Sequence, residues 1–230
     1  MTKPQSPPRP SPRVAGSSRA VETLWAKLLR NGLGSRPETL RIAFVSPLPR
    51  QGTTTVAASA AVSFARSVNS RVLLLELTRR RRPGLARMFG LRRSPGFWEV
   101  LGDQEAFAHS VQPTAVPGLS VLPAGRPPRD AIANSLVVRA PQLLDEIEAR
   151  SGAVLLDLPA LFPPSDALVL LRGVTGAVLV LRSRKVTRGV AESAKRVLGD
   201  LDVPIFGVVL NRYRPVGPSW LMRDPWLPKT

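Results

Sequence analysis

The stretch FVSPLPRQGTTTVAASAA, Phe44 to Ala61, has the form of a phosphate-binding loop. An apolar strand enters a Pro/Gly turn, three threonines follow, and an alanine-rich helix begins. Backbone N–H groups at such a turn and at the start of the helix form a cradle for an anion. Gly52 allows close backbone approach, and the hydroxyl of Thr54 stands where a Mg²⁺ ligand is expected. The pattern therefore predicts a nucleotide site.

Two residues of this loop depart from the usual pattern. Thr53 stands where a lysine should reach the β- and γ-phosphates, and Arg50 stands where glycine is usual. Loss of one electrostatic contact of this kind typically costs about 10²–10³ in rate. Arg50 could supply a substitute cation from another direction. Taken alone, the loop is also compatible with an ordinary strand–turn–helix connection.

Nearly continuous apolar strands alternate with helices along the chain. Such strands are buried on both faces, and a mostly parallel sheet covered by helices buries them. We therefore predict an α/β fold, with helices on both faces of the sheet in three layers. The predicted strands are 40–46, 71–77, 119–125, 153–160, 176–183 and 203–212. The predicted helices are 19–31, 54–69, one from Pro141, 166–173 and 188–200, with short helices or turns near 84–91 and 96–103.

Composition excludes several kinds of site. The chain has 230 residues, no cysteine and one histidine, His109. Disulfides, cysteine nucleophiles and cysteine- or histidine-based metal sites are therefore not expected. The net charge of +17 favours polyanionic partners. Arginines spread over solvated faces would give the same net charge without any such partner.

The ends of the chain differ in composition from its middle. Residues 1–17 are rich in proline, serine and arginine and predict a disordered arm. Residues 18–213 form the predicted domain, and residues 214–230 form a tail containing Trp220 and Trp226. The sequence has no uninterrupted apolar run of the ~20 residues that a membrane-spanning helix needs, and no secretory signal pattern. We expect a cytoplasmic protein that a partner could hold at the inner face of the plasma membrane.

Motifs from residue 18 to 212 resemble the cytoplasmic domain of bacterial tyrosine kinases that control capsule and exopolysaccharide synthesis. These kinases share a P-loop NTPase-like fold with septum-positioning and plasmid-partition ATPases. The motifs follow the family's order along the chain. They are SPLPRQGTTT (46–55), ELTRRRRPGLARMFGL (76–91), GFWEVL (96–101), VLPAG (121–125), LLDLPALFPPSDA (155–167) and GVVLNR (207–212).

The resemblance implies ATP and Mg²⁺ as cofactors. The phosphate-binding residues would be Arg50, Gln51, Gly52, Thr53, Thr54 and Thr55. Asn211 and Arg212 would contact the base of the nucleotide. The metal-binding residues would be Thr54, Glu76 and Asp157, the last through water. Glu76 replaces an aspartate that assists Mg²⁺ and the acceptor hydroxyl, so Glu76 and Asp157 would be the catalytic carboxylates. Thr78 replaces a second aspartate.

Each of these assignments has a structural alternative. Asp157 could cap the loop, Glu76 could pair with the Arg79–Arg82 run, and Asn211 could be a turn residue. The family's tyrosine cluster is reduced to Tyr213, which we expect to be a packing residue.

The chain also departs from the family in its assembly and partner segments. The family's first helix often carries a ring-assembly pattern, and here the matching positions read Arg19, Glu22 and Trp25, which disfavours that assembly mode. The Arg79–Arg82 run could contact phosphates, an acidic protein or an anionic membrane surface. It is too short, and too poor in aromatics, to favour nucleic acid.

Three functions remain open from the sequence. The first is a degenerate member of this kinase family with weak or absent phosphoryl transfer, recruited by a membrane adaptor or chain-length-determinant protein of polysaccharide export. The second is a non-catalytic scaffold of the export complex. The third is a positioning ATPase that binds DNA or membrane. Nucleotide binding separates the first from the second, and salt-resistant DNA retention would favour the third.

Overall fold

The computed structural model describes residues 40–67, 71–78, 84–127, 132–149, 151–164 and 166–214. Several predicted features lie outside these residues. They are the N-terminal arm, the helix predicted at 19–31 with its assembly positions, the Arg79–Arg82 run and the tail with its two tryptophans.

A single sheet of seven strands organises the described residues. Its strand order is β3-β4-β2-β5-β1-β6-β7, and every neighbouring pair is parallel except β3 with β4. The strands are β1 (Arg41–Val45), β2 (Val72–Glu76), β3 (Gln112–Pro113), β4 (Leu119–Leu122), β5 (Ala153–Asp157), β6 (Gly176–Arg182) and β7 (Ile205–Asn211). The predicted α/β fold with a mostly parallel sheet is confirmed.

Helices cover both faces of this sheet. The described helices are α1 (Thr53–Ser67), α2 (Gly84–Phe89), α3 (Phe97–Gly102), α4 (Phe107–Ser110), α5 (Ile132–Ala149) and α6 (Arg188–Asp200), and 3₁₀-helices lie at Gln104–Ala106 and Asp166–Gly173. Successive β1 residues face opposite layers, because side chains alternate along a strand. Ile42 and Phe44 pack in the cluster that contains α1 and α2. Ala43 and Val45 pack in the cluster that contains α3, α5 and α6.

The central strands explain why the apolar runs are so continuous. Every residue of β2 and β5 is buried, because each strand has a neighbour on both sides and a helix layer on both faces. The two carboxylates that end these strands, Glu76 and Asp157, are buried as well. Their burial places charged groups at the carboxyl edge of the sheet, where ligands of such folds bind.

Some predicted elements differ from the structure. The prediction that a helix begins near Pro141 is wrong, since α5 begins at Ile132 and contains Pro141. Proline is common in the first turn of a helix, but here α5 is held on the sheet by buried Ala140, Leu143 and Leu144, and tertiary packing outweighs the proline. Residues 166–173 form a 3₁₀-helix rather than an α-helix, and the two-residue strand β3 was not predicted.

Within the described ranges, no helix is both long enough and apolar enough to cross a bilayer.

Candidate functional site

A cavity of about 390 Å³ opens at the carboxyl edge of the sheet. It lies between the β1–α1 loop, the ends of β2 and β5, and helix α2. Residues with polar or charged side chains supply much of its lining. They are Ser46, Arg50, Gln51, Thr53, Thr54, Thr55, Glu76, Thr78, Arg87, Asp157, Arg182 and Arg212.

The loop before α1 presents backbone amides to this cavity. Gly52 has a φ of +91°, a left-handed conformation that glycine adopts without a steric penalty. The first hydrogen bond of α1 runs from the Val56 amide to the Gly52 carbonyl, at 3.1 Å. The amides of Thr53 to Thr55 therefore precede the helical ladder. Together with the partial positive charge of the helix N-terminus, they form the predicted anion cradle.

Strands β6 and β7 hold this loop in place. The side-chain amide of Asn211 donates to the Gln51 carbonyl at 2.8 Å, and the Arg182 amide donates to Gln51 Oε1 at 2.8 Å. A Cβ at Gly52 would collide with the Asn211 side-chain amide. The loop therefore requires glycine both for its backbone conformation and for this close contact.

The side chain of Thr53, which replaces the expected lysine, points into the protein interior. Its hydroxyl donates to Ser46 Oγ at 2.9 Å, and the Ser46 hydroxyl donates to the Leu48 carbonyl at 3.0 Å. Thr53 is 8% exposed. Its side chain thus contributes to loop structure and places no charge in the cavity.

The two predicted carboxylates lie side by side. Glu76 and Asp157 are paired in the parallel register of β2 and β5, so their side chains extend from the same face of the sheet. They are only 1% and 3% exposed. A Cβ at Gly84 would lie 2.9 Å from Thr54 Cγ2 and 3.6 Å from Glu76 Oε1. The start of α2 therefore lies against both Thr54 and Glu76.

Glu76 also caps helix α2. Its Oε1 accepts a hydrogen bond from the Gly84 amide, and its Oε2 accepts one from the Leu85 amide at 3.2 Å. A carboxylate at this position satisfies amides that have no partner within the helix. The alternative pairing with Arg79–Arg82 involves residues outside the described ranges.

Arginine supplies the positive charge of the described cavity wall. Arg50, Arg87, Arg182 and Arg212 line it, and no lysine does so among the described residues. Arg50 and Arg212 were predicted, whereas Arg87 and Arg182 were missed. Arg182 ends β6, so its position at the carboxyl edge of the sheet was a usable signal. Arg87 offered none, because its place depends on how α2 packs.

The donor set fits a nucleotide-bound Mg²⁺. Among the described residues, no group of three or more His, Cys, Asp or Glu could hold a metal by itself. Mg²⁺ commonly binds through one or two protein oxygens, several waters and substrate phosphates. Thr54 and Asp157 at the cavity wall match that requirement, with Glu76 beside them.

All but one of the predicted site residues line the cavity. Asn211 is not among the lining residues, because its side-chain amide lies against Gln51. Its Oδ1 accepts a hydrogen bond from the Arg212 amide at 2.9 Å. Contact of Asn211 with a base stays a prediction. The expectation that Tyr213 packs against the domain is wrong, since it is 49% exposed.

Comparison with known proteins decides the family. No protein-family model matches the chain. Tyrosine-protein kinase YwqD of Bacillus subtilis is 30% identical over 172 residues, which cover 74% of this chain and 71% of YwqD. The chain belongs to the bacterial tyrosine-protein kinases. A putative tyrosine-protein kinase EpsB of Ralstonia nicotianae is 28% identical over 174 residues, which cover 76% of the chain and 23% of EpsB. The chain thus spans about a quarter of that family member's length.

Solved tyrosine-kinase domains share the fold. The kinase domain of Escherichia coli ETK superposes with a TM-score of 0.77 at 22% identity, covering 95% of this chain and 88% of that one. The BceF tyrosine kinase domain gives 0.69 at 28% identity, with coverages of 89% and 90%. Septum-site-determining protein MinD of Pyrococcus horikoshii, solved with Mg-ADP, gives 0.65 at 21% identity, with coverages of 76% and 71%. The resemblance to the bacterial tyrosine kinases and the fold shared with MinD are confirmed.

Proposed function

We propose that this chain binds Mg²⁺-ADP and Mg²⁺-ATP in the cavity at the carboxyl edge of the sheet, and that it transfers phosphate weakly or not at all. One observation carries the proposal. The backbone cradle of Gln51 to Thr55 is retained beside Glu76 and Asp157, while the side chain at position 53 is buried against Ser46. Anion binding needs the cradle, whereas fast transfer also needs charge placed on the transferring phosphate.

The role of each group follows from its position. The amides of the α1 N-terminus would bind phosphate oxygens, and Thr54 and Asp157 would hold Mg²⁺, which neutralises phosphate charge when bound. Gly52 lets the backbone approach the phosphates. Gln51, fixed by β6 and β7, keeps the loop in its binding conformation. These contacts stabilise bound nucleotide in the ground state, which by itself does not accelerate transfer.

Two measurements test this proposal. Isothermal titration of the full chain with ADP or a non-hydrolysable ATP analogue, in Mg²⁺, should show saturable binding. Incubation with labelled ATP should give phosphate transfer about 10²–10³ slower than a kinase domain that has the loop lysine. Absence of binding at millimolar nucleotide would contradict the proposal and favour a non-catalytic scaffold. Transfer at the rate of the lysine-containing domain would contradict the weak-kinase part alone.

We further propose that the chain acts in exopolysaccharide or capsule synthesis, recruited by a membrane adaptor or chain-length-determinant protein. Support comes from the relatives, which include a putative tyrosine-protein kinase named CapB from Staphylococcus aureus at 27% identity over 135 residues. A two-hybrid assay between this chain and the cytoplasmic segments of chain-length proteins from the same genome tests recruitment. An interaction with one of them is expected, and the absence of any interaction would contradict the partner class.

A further inference from the structure

The described cavity keeps its backbone cradle but has no lysine, and its arginines lie on two sides. Arg182 and Arg212 stand at the ends of β6 and β7, beside Gln51. Arg87 stands on α2, three residues beyond Gly84, where an added Cβ would lie 2.9 Å from Thr54 Cγ2. Arg182 and Arg212 therefore lie on one side of the loop, and Arg87 lies on the other.

Helix α2 is a fixed platform for Arg87. The carboxylate of Glu76 accepts the amides of Gly84 and Leu85, and Leu85 and Phe89 are fully buried. Arg87 is exposed and lines the cavity. The short helix is therefore anchored by its cap and by its apolar side chains, while Arg87 is left on the side that faces the cavity.

The Thr54 side of the cradle is where a terminal phosphate would bind. In the proposed complex Thr54 and Asp157 would hold Mg²⁺, which would neutralise the charge of the terminal phosphates. The third phosphate of a triphosphate would therefore lie nearer α2 than the ends of β6 and β7. A diphosphate has no group at that place.

We propose that Arg87 is a specificity-determining residue that binds the terminal phosphate of a nucleoside triphosphate, and that Glu76 is a positioning residue that holds Arg87 in place through α2. This inference rests on the proposed nucleotide-binding function. Arginine suits the role because its planar guanidinium can donate two parallel hydrogen bonds to phosphate oxygens. This contact between Arg87 and the terminal phosphate lets the chain distinguish ATP from ADP without the loop lysine.

Titration of the full-length chain with ADP and with the non-hydrolysable analogue AMP-PNP, both in Mg²⁺, tests the assignment. Arg87→Gln should lower the affinity for AMP-PNP about tenfold or more, since a hydrogen bond to a charged group contributes that much to binding. It should change the affinity for ADP less than about twofold. Arg87→Lys should recover part of the loss. Arg196→Gln removes an exposed arginine from α6 and is the matched control, expected to change neither affinity.

Arg50→Gln in the same assay separates this assignment from a cation supplied by the loop itself. It should leave the ratio of the two affinities unchanged. A selective loss of AMP-PNP in Arg50→Gln but not in Arg87→Gln would overturn the inference.

The role of Glu76 is tested by the ratio of the AMP-PNP affinity to the ADP affinity, which a purely structural role would leave unchanged. Glu76→Gln keeps an oxygen that accepts an α2 amide and should retain most of the preference for AMP-PNP. Glu76→Ala removes the cap and should reduce the ratio of the AMP-PNP affinity to the ADP affinity more than Glu76→Gln does. If Glu76→Ala fails to fold, Glu76→Gln decides, and a folded Glu76→Gln variant that loses the preference would overturn the positioning role.

The remaining outcomes separate the two proposals. Wild-type chain that binds neither nucleotide would overturn the proposed function and this inference with it. Wild-type chain that binds ADP but not AMP-PNP, or an Arg87→Gln variant that weakens both nucleotides equally or neither, would overturn the inference and leave nucleotide binding intact.

Discussion

Asn211 donates its side-chain amide to the carbonyl of Gln51 at 2.8 Å, across 160 positions of sequence. The bond joins the end of the last strand to the loop after the first. Gln51 is also bonded to the Arg182 amide, so the neighbouring strands β6 and β7 fix one residue of the phosphate loop. The conformation of the cradle therefore depends on two strands that lie far from it in the sequence.

Asn211→Ala should lower the free energy of unfolding by about 1 kcal/mol, the usual net contribution of one hydrogen bond, and should weaken ADP binding because Gln51 is then less well fixed. Chemical denaturation and nucleotide titration measure the two effects. Ser193→Ala removes the partner of an exposed side-chain bond from Arg196 and is the matched control, expected to change neither. An Asn211→Ala variant with unaltered stability and affinity would show that the bond does not hold the loop.

Gly52→Ala should be more severe than an ordinary glycine substitution. Its φ of +91° disfavours any Cβ, and the new methyl would displace the Asn211 amide from Gln51. We expect a loss of about 1–3 kcal/mol of stability together with loss of nucleotide binding. Gly102→Ala is the control, because a Cβ there meets nothing within 4 Å. Equal behaviour of the two variants in thermal denaturation would argue against a strained loop.

The sequence predicted those parts of the structure that depend on local pattern. Continuous apolar runs gave the parallel strands, because only a doubly covered sheet buries them. The hydroxyl residues before an alanine-rich segment located the cradle. The resemblance to the bacterial tyrosine kinases pointed to Glu76 and Asp157, which the parallel register of β2 and β5 places at one edge of the sheet.

Long-range packing accounts for what the sequence did not predict. Nothing local shows that the Thr53 hydroxyl donates to Ser46, that Glu76 caps α2 or that Arg87 lines the cavity. Each follows from the placement of one element against another. The predicted helix start at Pro141 was wrong for the same reason, because packing on the sheet determines where α5 begins.

Pro141→Ala should stabilise the domain. Proline inside a helix removes one backbone hydrogen bond and its ring crowds the preceding turn, and Pro141 is exposed within α5. We expect an increase of about 1–3 kcal/mol in the free energy of unfolding, measured by urea denaturation, with no change in nucleotide affinity. A decrease in stability would mean that the helix is adapted to the proline.

Arg50→Gly should also raise stability, by about 1 kcal/mol, because Arg50 has a φ of +63° and a side chain in that conformation is strained. Arg184→Gly tests the same relief outside the cavity, at a φ of +61°, and should give a similar gain. A gain at Arg184 without one at Arg50 would indicate that the Arg50 side chain makes a compensating contact with the loop.

Thr53→Lys combined with Arg50→Gly restores the usual loop pattern and should raise AMP-PNP affinity about tenfold, the expected worth of one charged hydrogen bond. The gain is reduced by loss of the bond from Thr53 to Ser46. Ser193→Lys combined with Arg184→Gly makes the same exchange of charges outside the cavity and is the matched control. In the restored loop, Arg87→Gln should cost less than it does in the native loop, because lysine then shares the terminal phosphate, and a double-mutant cycle measures this difference. Unchanged affinity in the restored loop would show that features other than residues 50 and 53 limit the site.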